Sequence, residues 1–270
     1  RPRLWLGYLL GKIFMNIARV QETVSETEWQ ARVDLAACYR LAAHYGWTDL
    51  ILTHISARVP GEVGPDGGEV FLINPMGYMF HEISASCLVK VDINGKVLSE
   101  SEYEINPAGF TIHSAVHAAR PDVGCVMHLH TDDGVAVSAQ ADGLLPLSQT
   151  ALTVLPNIAY HDYEGIALDL DERARLVANL GDSNVMILRN HGTLTCGIDV
   201  PSAFLYMFNL ERACTMQIRA LSGGVKLNLP SDHAIETVKN QIANSSGKLA
   251  GLAWPSLLRM LDGQDSSFRN

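Results

Sequence analysis

The chain has 270 residues, of which 47% are hydrophobic and 18% are charged, and its formal net charge is −9 at pH 7. This length and composition suffice for one large globular domain or two small ones. The negative charge argues against a nucleic-acid-binding protein, since such proteins present basic surfaces. No run of about 18 uncharged apolar residues occurs, so the sequence predicts no membrane span.

The N-terminal stretch differs in character from the rest of the chain. It begins RPRLWLGYLLGKIF, in which basic residues accompany a short apolar segment, as in a signal peptide, yet no small-residue cleavage site follows. We interpret residues 1–25 as an N-terminal extension, partly foreign to the native protein, with Met15 as a candidate native start. A weak membrane-surface anchor is the alternative.

The cysteines indicate the cellular compartment. Five are present, which is an odd number, and they lie far apart with no CxxC pair among them. This usage is typical of a reducing cytosol and argues against both a disulfide framework and a cysteine-based zinc site. We therefore expect a cytoplasmic protein.

The first half of the chain predicts one long helix followed by short strands. Residues 26–45 form the helix, since their apolar side chains recur at helical spacing. Two strands follow, LILTHISARVP and VFLINP, separated by the Gly- and Pro-rich turn GEVGPDGGEV. The segment SASCLVKVDINGKVL predicts a short helix, a strand and a tight Asn-Gly turn into another strand.

The second half contains further strands and helices. A helix begins near Pro107, and the helix in LDERARLVANLG ends at Gly181. Apolar strands are predicted in GCVMHLHT, NIAYHDY, NVMILRNHG and GTLTCG, and the last two are joined at residues 191–192. The long helix VPSAFLYMFNLERACTMQIRAL follows, and residues 225–270 are predicted to be mainly helical.

These elements predict an α/β fold, a single domain with a central, mainly antiparallel β-sheet flanked by helices on both sides. The domain spans residues 26–224, and residues 225–270 form a C-terminal helical segment that packs on it. No G-x-x-x-x-G-K-[ST] sequence occurs, and no helix follows the glycine-rich GEVGPDGG. A nucleotide-binding loop is therefore not predicted.

The stretch VMHLHTDDG, residues 126–134, suggests a metal site. In a strand, side chains two residues apart point to the same face, so His128 and His130 project together. Two imidazoles on one face can bind one ion. His191, at the end of the apolar strand VMILRNHG, is the candidate third ligand, and Gly192 permits a tight turn after it. The alternative is a pair of ordinary, half-exposed strand histidines.

Several motifs together resemble the class II aldolase/adducin family. INPAGFTIHSAVHAARPDVGCVMHLHT precedes ILRNHGTL, and THISAR, YHDYEGI and AFLYMFNLERAC occur in the matching order, over roughly residues 30–220. The resemblance implies a divalent metal, most often zinc, held by His128, His130 and His191. It also implies a small-molecule substrate and a homo-oligomer, with a tetramer favoured and the site near a subunit interface.

The sequence departs from the sugar-phosphate aldolases of this family at a position that matters for chemistry. In those enzymes a glutamate near the metal is the acid/base of the retro-aldol step, and a gap-free count back from His128 places it at Gly109. Glycine cannot transfer a proton, so that mechanism does not carry over intact. Pro107 and Ala108 replace two serines that help to hold phosphate, which argues against a phosphosugar substrate.

Polar residues in the matching motifs are candidates for substrate binding. Arg58 is the natural partner of an anion because its planar guanidinium matches a carboxylate, although a solvated charge at a strand end is the alternative. The predicted substrate-binding residues are His54, Ser56, Arg58, Asn74, Gly77, Asn106 and His113.

The segment YHDYEGI offers replacements for the missing acid. His161 is a candidate general base or outer partner of the metal ligands, and Glu164 is the second predicted catalytic residue. The alternative is that this segment ties a loop to a neighbouring subunit.

We therefore expect a metal-dependent, aldolase- or lyase-like enzyme that acts on a small hydroxylated carbonyl or carboxylate compound. The metal would act as a Lewis acid that stabilises an enolate-like intermediate. One alternative is an iron-dependent oxidative decarboxylase or oxygenase of the same fold, because three histidines suit either metal. The other is a non-catalytic, adducin-like oligomerising or binding module.

Overall fold

The computed structural model describes residues 20–98, 101, 103–165, 171–243 and 248–270. Residues 1–19, most of the predicted N-terminal extension, lie outside the described residues. The described chain forms one seven-stranded sheet with helices on both faces.

The strands of the sheet are mostly buried, and all of those described except the ten-residue first strand have four to six residues. They are β1 His54–Val63, β2 Glu69–Ile73, β3 Val89–Asp92, β4 Cys125–Leu129, β5 Ile158–His161, β6 Val185–Leu188 and β7 Gly192–Gly197. Their order across the sheet is β3-β2-β1-β4-β7-β6-β5, and each neighbouring pair is antiparallel except β5 and β6. The predicted central, mainly antiparallel sheet is thereby confirmed.

Helices cover both faces of this sheet. They are α1 Glu26–His44, α2 Pro107–Ala119, α3 Asp132–Ser138, α4 Gln149–Val154, α5 Glu172–Leu180, α6 Val200–Ser222, α7 Asp232–Ala243 and α8 Lys248–Gln264. One core lies between the sheet and helices α1 and α6, and a second lies between the sheet and helices α2 and α5.

Successive side chains of strand β4 point alternately into the two cores. Cys125, Met127 and Leu129 belong to the core beneath α1 and α6, whereas Val126 belongs to the core beneath α2 and α5. This is the alternation that a pleated strand imposes. The alternation places His128 on the α2 side of the sheet, where it is also buried.

Two short helices, α3 and α4, are absent from the sequence prediction. They have seven and six residues, too few for an apolar periodicity to be recognised. Each begins instead at a capping side chain. Thr131 accepts from the backbone N–H of Gly134, and Ser148 accepts from that of Ala151.

The region before α2 also differs from the prediction. The strand expected after the Asn-Gly turn is reduced to an isolated bridge between Val91 and Val97. The short helix expected in SASC does not form. The N–H groups of Ala85 and Ser86 donate to the backbone oxygens of Phe268 and Asn270, so the end of the chain provides the hydrogen bonds that a helix would have provided.

The C-terminal helix α8 contacts both α1 and α6. The indole nitrogen of Trp254 donates to Oδ1 of Asp34 at 2.8 Å, and its ring lies 5.9 Å from that of Phe204. The division of the chain at residues 224 and 225 stays a prediction. Among the described residues, no helix is both long enough and apolar enough to cross a membrane.

Candidate metal centre

Three histidines meet at the edge of the sheet where β4 ends and β7 begins. The two strands are antiparallel with Leu129 opposite Thr193, so His130, just after β4, lies beside His191, just before β7. Nε2 of His130 is 2.9 Å from Nε2 of His128 and 3.0 Å from Nε2 of His191. Three potential ligand atoms therefore converge on one point.

Two of these rings are held by partners at the opposite nitrogen. Nδ1 of His128 donates to the backbone oxygen of Thr193, and Nδ1 of His130 donates to Oδ2 of Asp49, both at 3.0 Å. A neutral imidazole carries one N–H group, so these bonds leave both Nε2 atoms with a lone pair. The Nε2 atoms thus face one another with lone pairs and with no proton between them. This arrangement is the one expected of three imidazoles that bind a metal ion.

Burial favours the uncharged form of two of the ligands, His128 and His191. It lowers the pKa of His191 to about 4 and that of His128 well below its ordinary value, and the neighbouring imidazoles add to both effects. Both rings are therefore neutral near pH 7, which is the form that binds a metal ion.

The turn that presents His191 depends on its neighbours. Asn190 has a φ of 57°, in the left-handed region that asparagine tolerates better than most residues. A Cβ atom on Gly192 would lie 2.4 Å from the backbone oxygen of Leu129 and 3.1 Å from Cδ2 of His130. Glycine thus allows β7 to approach β4 closely at the site.

Replacing Asp49 by alanine should weaken metal binding about ten- to a hundredfold while leaving the fold intact. The Asp49 carboxylate fixes the tautomer and orientation of the His130 ring, and without it the ring can rotate. Titration of zinc against a chromogenic chelator measures the change. Asp66→Ala, in an exposed turn, is the matched control. Equal affinities for Asp49→Ala and the wild type would contradict this role.

A buried carboxylate lies behind the ligands. Glu211 of α6 is 2% exposed, and it accepts from the hydroxyl of Thr131 at 2.5 Å and from that of Thr193 at 3.0 Å. Thr131 follows His130 in the chain, and the backbone oxygen of Thr193 holds His128. Glu211 therefore ties together the two strand ends that carry the ligands.

Replacing Glu211 by glutamine should remove a contribution to stability that falls as the pH rises between about 4.5 and 7, so the stability of the variant relative to the wild type should rise over this window. Burial raises the pKa of Glu211 to about 7, so the folded chain keeps a proton that the unfolded chain releases near pH 4.5. This group favours folding below that window, and its contribution falls by up to roughly 3 kcal/mol as the pH rises through it. Denaturant unfolding of both proteins tests this, and a pH-independent difference would contradict it.

The comparisons with known proteins identify the family. Residues 33–218 match the family model of the Class II Aldolase and Adducin N-terminal domain. The chain belongs to this family. An aldolase class 2 family protein of Pseudomonas aeruginosa, PA3430, is 57% identical over 256 residues, which cover 93% of this chain and 96% of that protein.

A second relative and a solved structure extend this comparison. Alpha-adducin of Mus musculus is 48% identical over 194 residues, which cover 71% of this chain but 26% of adducin. The crystal structure of an aldolase II superfamily protein from Pseudomonas syringae has a TM-score of 0.86 and 51% identity. It covers 93% of this chain and 99% of that chain. The class II aldolase fold thus extends over nearly the whole molecule.

The position that carries the acid/base glutamate in the sugar-phosphate aldolases is filled here by another side chain. A Cβ atom on Gly109 would lie 2.1 Å from both Cε1 and Nε2 of His54. His54 is paired with His128 across β1 and β4, and their rings are 6.1 Å apart. Its Nε2 lies 3.3 Å from Nδ2 of Asn106. Burial lowers the pKa of His54 to about 4, so the imidazole is neutral.

A buried polar chain continues from His54 beneath α2. The ring of His113 lies 5.6 Å from that of His54. The hydroxyl of Ser56 lies 2.7 Å from Nδ1 of His113 and 2.8 Å from Nε2 of His117. The structure therefore places His54 beside the ligand His128, with Asn106 next to its Nε2, whereas His113 and Ser56 lie behind His54 in the buried chain. Substrate binding by these four residues stays a prediction.

The remaining predicted substrate-binding residues have other partners. Arg58 donates to the backbone oxygens of Val123 and His117 and pairs with Glu69. The side-chain oxygen of Asn74 accepts from the Tyr39 hydroxyl at 2.8 Å. Gly77 lies in a turn with a φ of 90°. Substrate binding by Arg58, Asn74 and Gly77 stays a prediction.

The two predicted catalytic residues lie in different surroundings. His161 lines a small pocket with His191, and its Nδ1 lies 2.8 Å from Oδ1 of Asn179. The Glu164 carboxylate is bound by the Arg175 guanidinium through both its oxygens. Catalytic roles for His161 and Glu164 stay predictions, and His161 is the nearer of the two to the ligands.

The sequence reasoning missed Asp49 and Glu211. Asp49 lies in the loop between α1 and β1, in a segment without a motif. Glu211 belongs to the apolar stripe AFLYMFNLERAC, where an isolated carboxylate is a signal of a buried polar contact.

Proposed function

We propose that the protein is a metal-dependent lyase of the class II aldolase type that acts on a small hydroxylated carbonyl or carboxylate compound. The convergence of the three Nε2 atoms at 2.9 and 3.0 Å carries this proposal. A divalent ion, with zinc as the first candidate, would be held by His128, His130 and His191 and would supply a Lewis acid that polarises a substrate oxygen.

The protein contributes the orientation of the ligand rings and of the polar groups beside them. Thr193 and Asp49 hold two ligand rings in the metal-binding tautomer. Asn106, just before α2, and His54, at the start of β1, lie on one side, and His161 lines the pocket on another. These polar groups are placed to orient substrate oxygens beside the ligands.

A metal-dependence experiment tests the proposal. The protein is stripped with a chelator, reloaded with zinc and screened against hydroxy acids, sugars and sugar phosphates for carbonyl release. We expect activity that disappears with the metal and returns with it. His191→Ala should abolish it, and His233→Ala, an exposed histidine on α7, should retain it. Zinc binding without turnover of any compound would contradict catalysis.

A non-catalytic binding module is the second candidate function. Two observations favour it: the absence of a side chain at Gly109 and the 48% identity to alpha-adducin over 194 residues. In this case zinc stabilises the fold, so metal removal lowers the melting temperature while the screen detects no turnover. The same experiment therefore separates the two candidates.

We also propose a cytoplasmic homo-oligomer, with a tetramer favoured and the site near a subunit interface. Leu50, beside Asp49, is 66% exposed, and Tyr163, whose ring lies 6.3 Å from that of His191, is 54% exposed. Large apolar side chains at the rim of a site support contact with a second subunit. The five free cysteines support a reducing compartment.

A further inference from the structure

The metal centre has one wall formed by uncharged side chains, His54 and Asn106. On the His191 side, by contrast, Asp162 and Glu172 line the pocket. The three ligands are imidazoles, and the wall beside them is formed by the His54 imidazole and the Asn106 amide. The carboxylate of Asp49 lies behind the His130 ring and not on this wall. A divalent ion with neutral ligands keeps its full charge, which an anionic substrate group would offset.

His54 and a side chain at position 109 compete for the same space. A Cβ atom on Gly109 would lie 2.1 Å from two atoms of the His54 ring and 2.5 Å from a third. His54 is 5% exposed, and its ring lies between those of His113 and His128. The His54 ring cannot move aside without displacing a ligand or a buried neighbour. The wall is therefore formed either by the His54 ring or by a side chain at position 109, but not by both.

We infer that His54 takes the place of a side chain at position 109 as the substrate-facing wall, and that this exchange selects a substrate with a carboxylate, a 2-hydroxy or 2-oxo acid. The inference rests on the proposed function, since it requires a bound metal ion. A substrate carboxylate on this wall would be attracted by the ion and would meet an imidazole and an amide in place of a carboxylate. A glutamate at position 109 would repel it.

Ligand titration of cobalt-loaded protein tests the charge preference. The visible absorption of cobalt reports changes in its ligands, and the probes are glycolate and its uncharged analogue glycolamide. Any divalent ion prefers the anion, so the decisive comparison uses two variants that differ in one charge. These are His54→Ala/Gly109→Glu and His54→Ala/Gly109→Gln, in which removal of the imidazole makes room for the new side chain.

The wild type and the glutamine variant should both prefer glycolate. In the glutamate variant, the ratio of glycolate to glycolamide affinity should fall by about tenfold relative to the glutamine variant. Equal ratios in the two variants would overturn the inference while leaving the proposed function intact. Failure of the wild type to bind cobalt would instead overturn the proposed function, on which the inference rests.

A double-mutant cycle tests the position of His54. Gly109→Ala should weaken glycolate binding about tenfold in the wild type but have little effect in a His54→Ala background, where the added methyl group meets no ring. Gly251→Ala is the control, because this helical glycine on α8 has open space around it. Circular dichroism establishes that each variant is folded. Equal effects of Gly109→Ala in both backgrounds would overturn the assignment of His54.

Discussion

Replacing His128 by alanine should lower the affinity for zinc by more than about a hundredfold, since outer partners of metal ligands alone contribute about ten- to a hundredfold. His128 is the most deeply buried of the three ligands, and the backbone oxygen of Thr193 holds it in its metal-binding tautomer. With two imidazoles left, the ion loses a ligand that no neighbouring side chain among the described residues replaces. Competition against a chelator of known affinity measures the loss.

Two controls separate loss of the ligand from loss of the fold. His128→Gln keeps most of the volume of the buried side chain and should be folded by circular dichroism, yet it should bind zinc as poorly as the alanine variant. His233→Ala removes an exposed histidine and should bind zinc as the wild type does. Near wild-type affinity in His128→Gln would show that the site does not depend on this imidazole.

The metal-free protein should lose stability in acid because of the two buried histidines of α2, His113 and His117. Burial holds the pKa of His113 well below its ordinary value and that of His117 at about 3. In the unfolded chain these two histidines bind protons near pH 6.5, whereas in the folded chain they stay unprotonated at that pH. The contribution of these groups to stability is therefore complete above about pH 6.5 and is lost as the pH falls toward 3, by about 1.4 kcal/mol per pH unit for each histidine.

The double variant His113→Gln/His117→Gln isolates this effect. Glutamine can still hydrogen-bond to Ser56, and the other buried histidines are common to both proteins. Denaturant unfolding at pH steps from 7.5 to about 4.5 should show the variant losing less stability than the wild type, with a difference in slope of about two protons. Parallel curves for the two proteins would contradict a role for these buried rings in acid sensitivity.

The metal centre could be predicted from the sequence because its parts are local. The two-residue spacing of His128 and His130 fixes their common face once the strand is recognised, and the apolar runs identify both strands. The antiparallel pairing of β4 with β7 then brings His191 beside them. The same local patterns predicted the helices α1, α2 and α6 and the mainly antiparallel sheet.

The surroundings of the ligands could not be predicted in this way. Asp49 is 81 residues from His130, and Glu211 is 80 residues from Thr131, so these contacts depend on how loops and helices pack on the sheet. The contact between His54 and position 109 likewise arises where the first turn of α2 lies against the start of β1. The sequence shows that Gly109 lacks a carboxylate, but tertiary packing decides which side chain fills the space.

X-ray absorption spectroscopy of the zinc-reconstituted protein tests the three-histidine metal centre most directly. We expect one zinc ion per chain with three imidazole nitrogens at about 2.0–2.1 Å, and one imidazole fewer in His191→Ala. An absence of bound zinc, or a ligand shell of cysteine sulfur or of oxygen alone, would contradict the assignment of His128, His130 and His191 as the metal ligands.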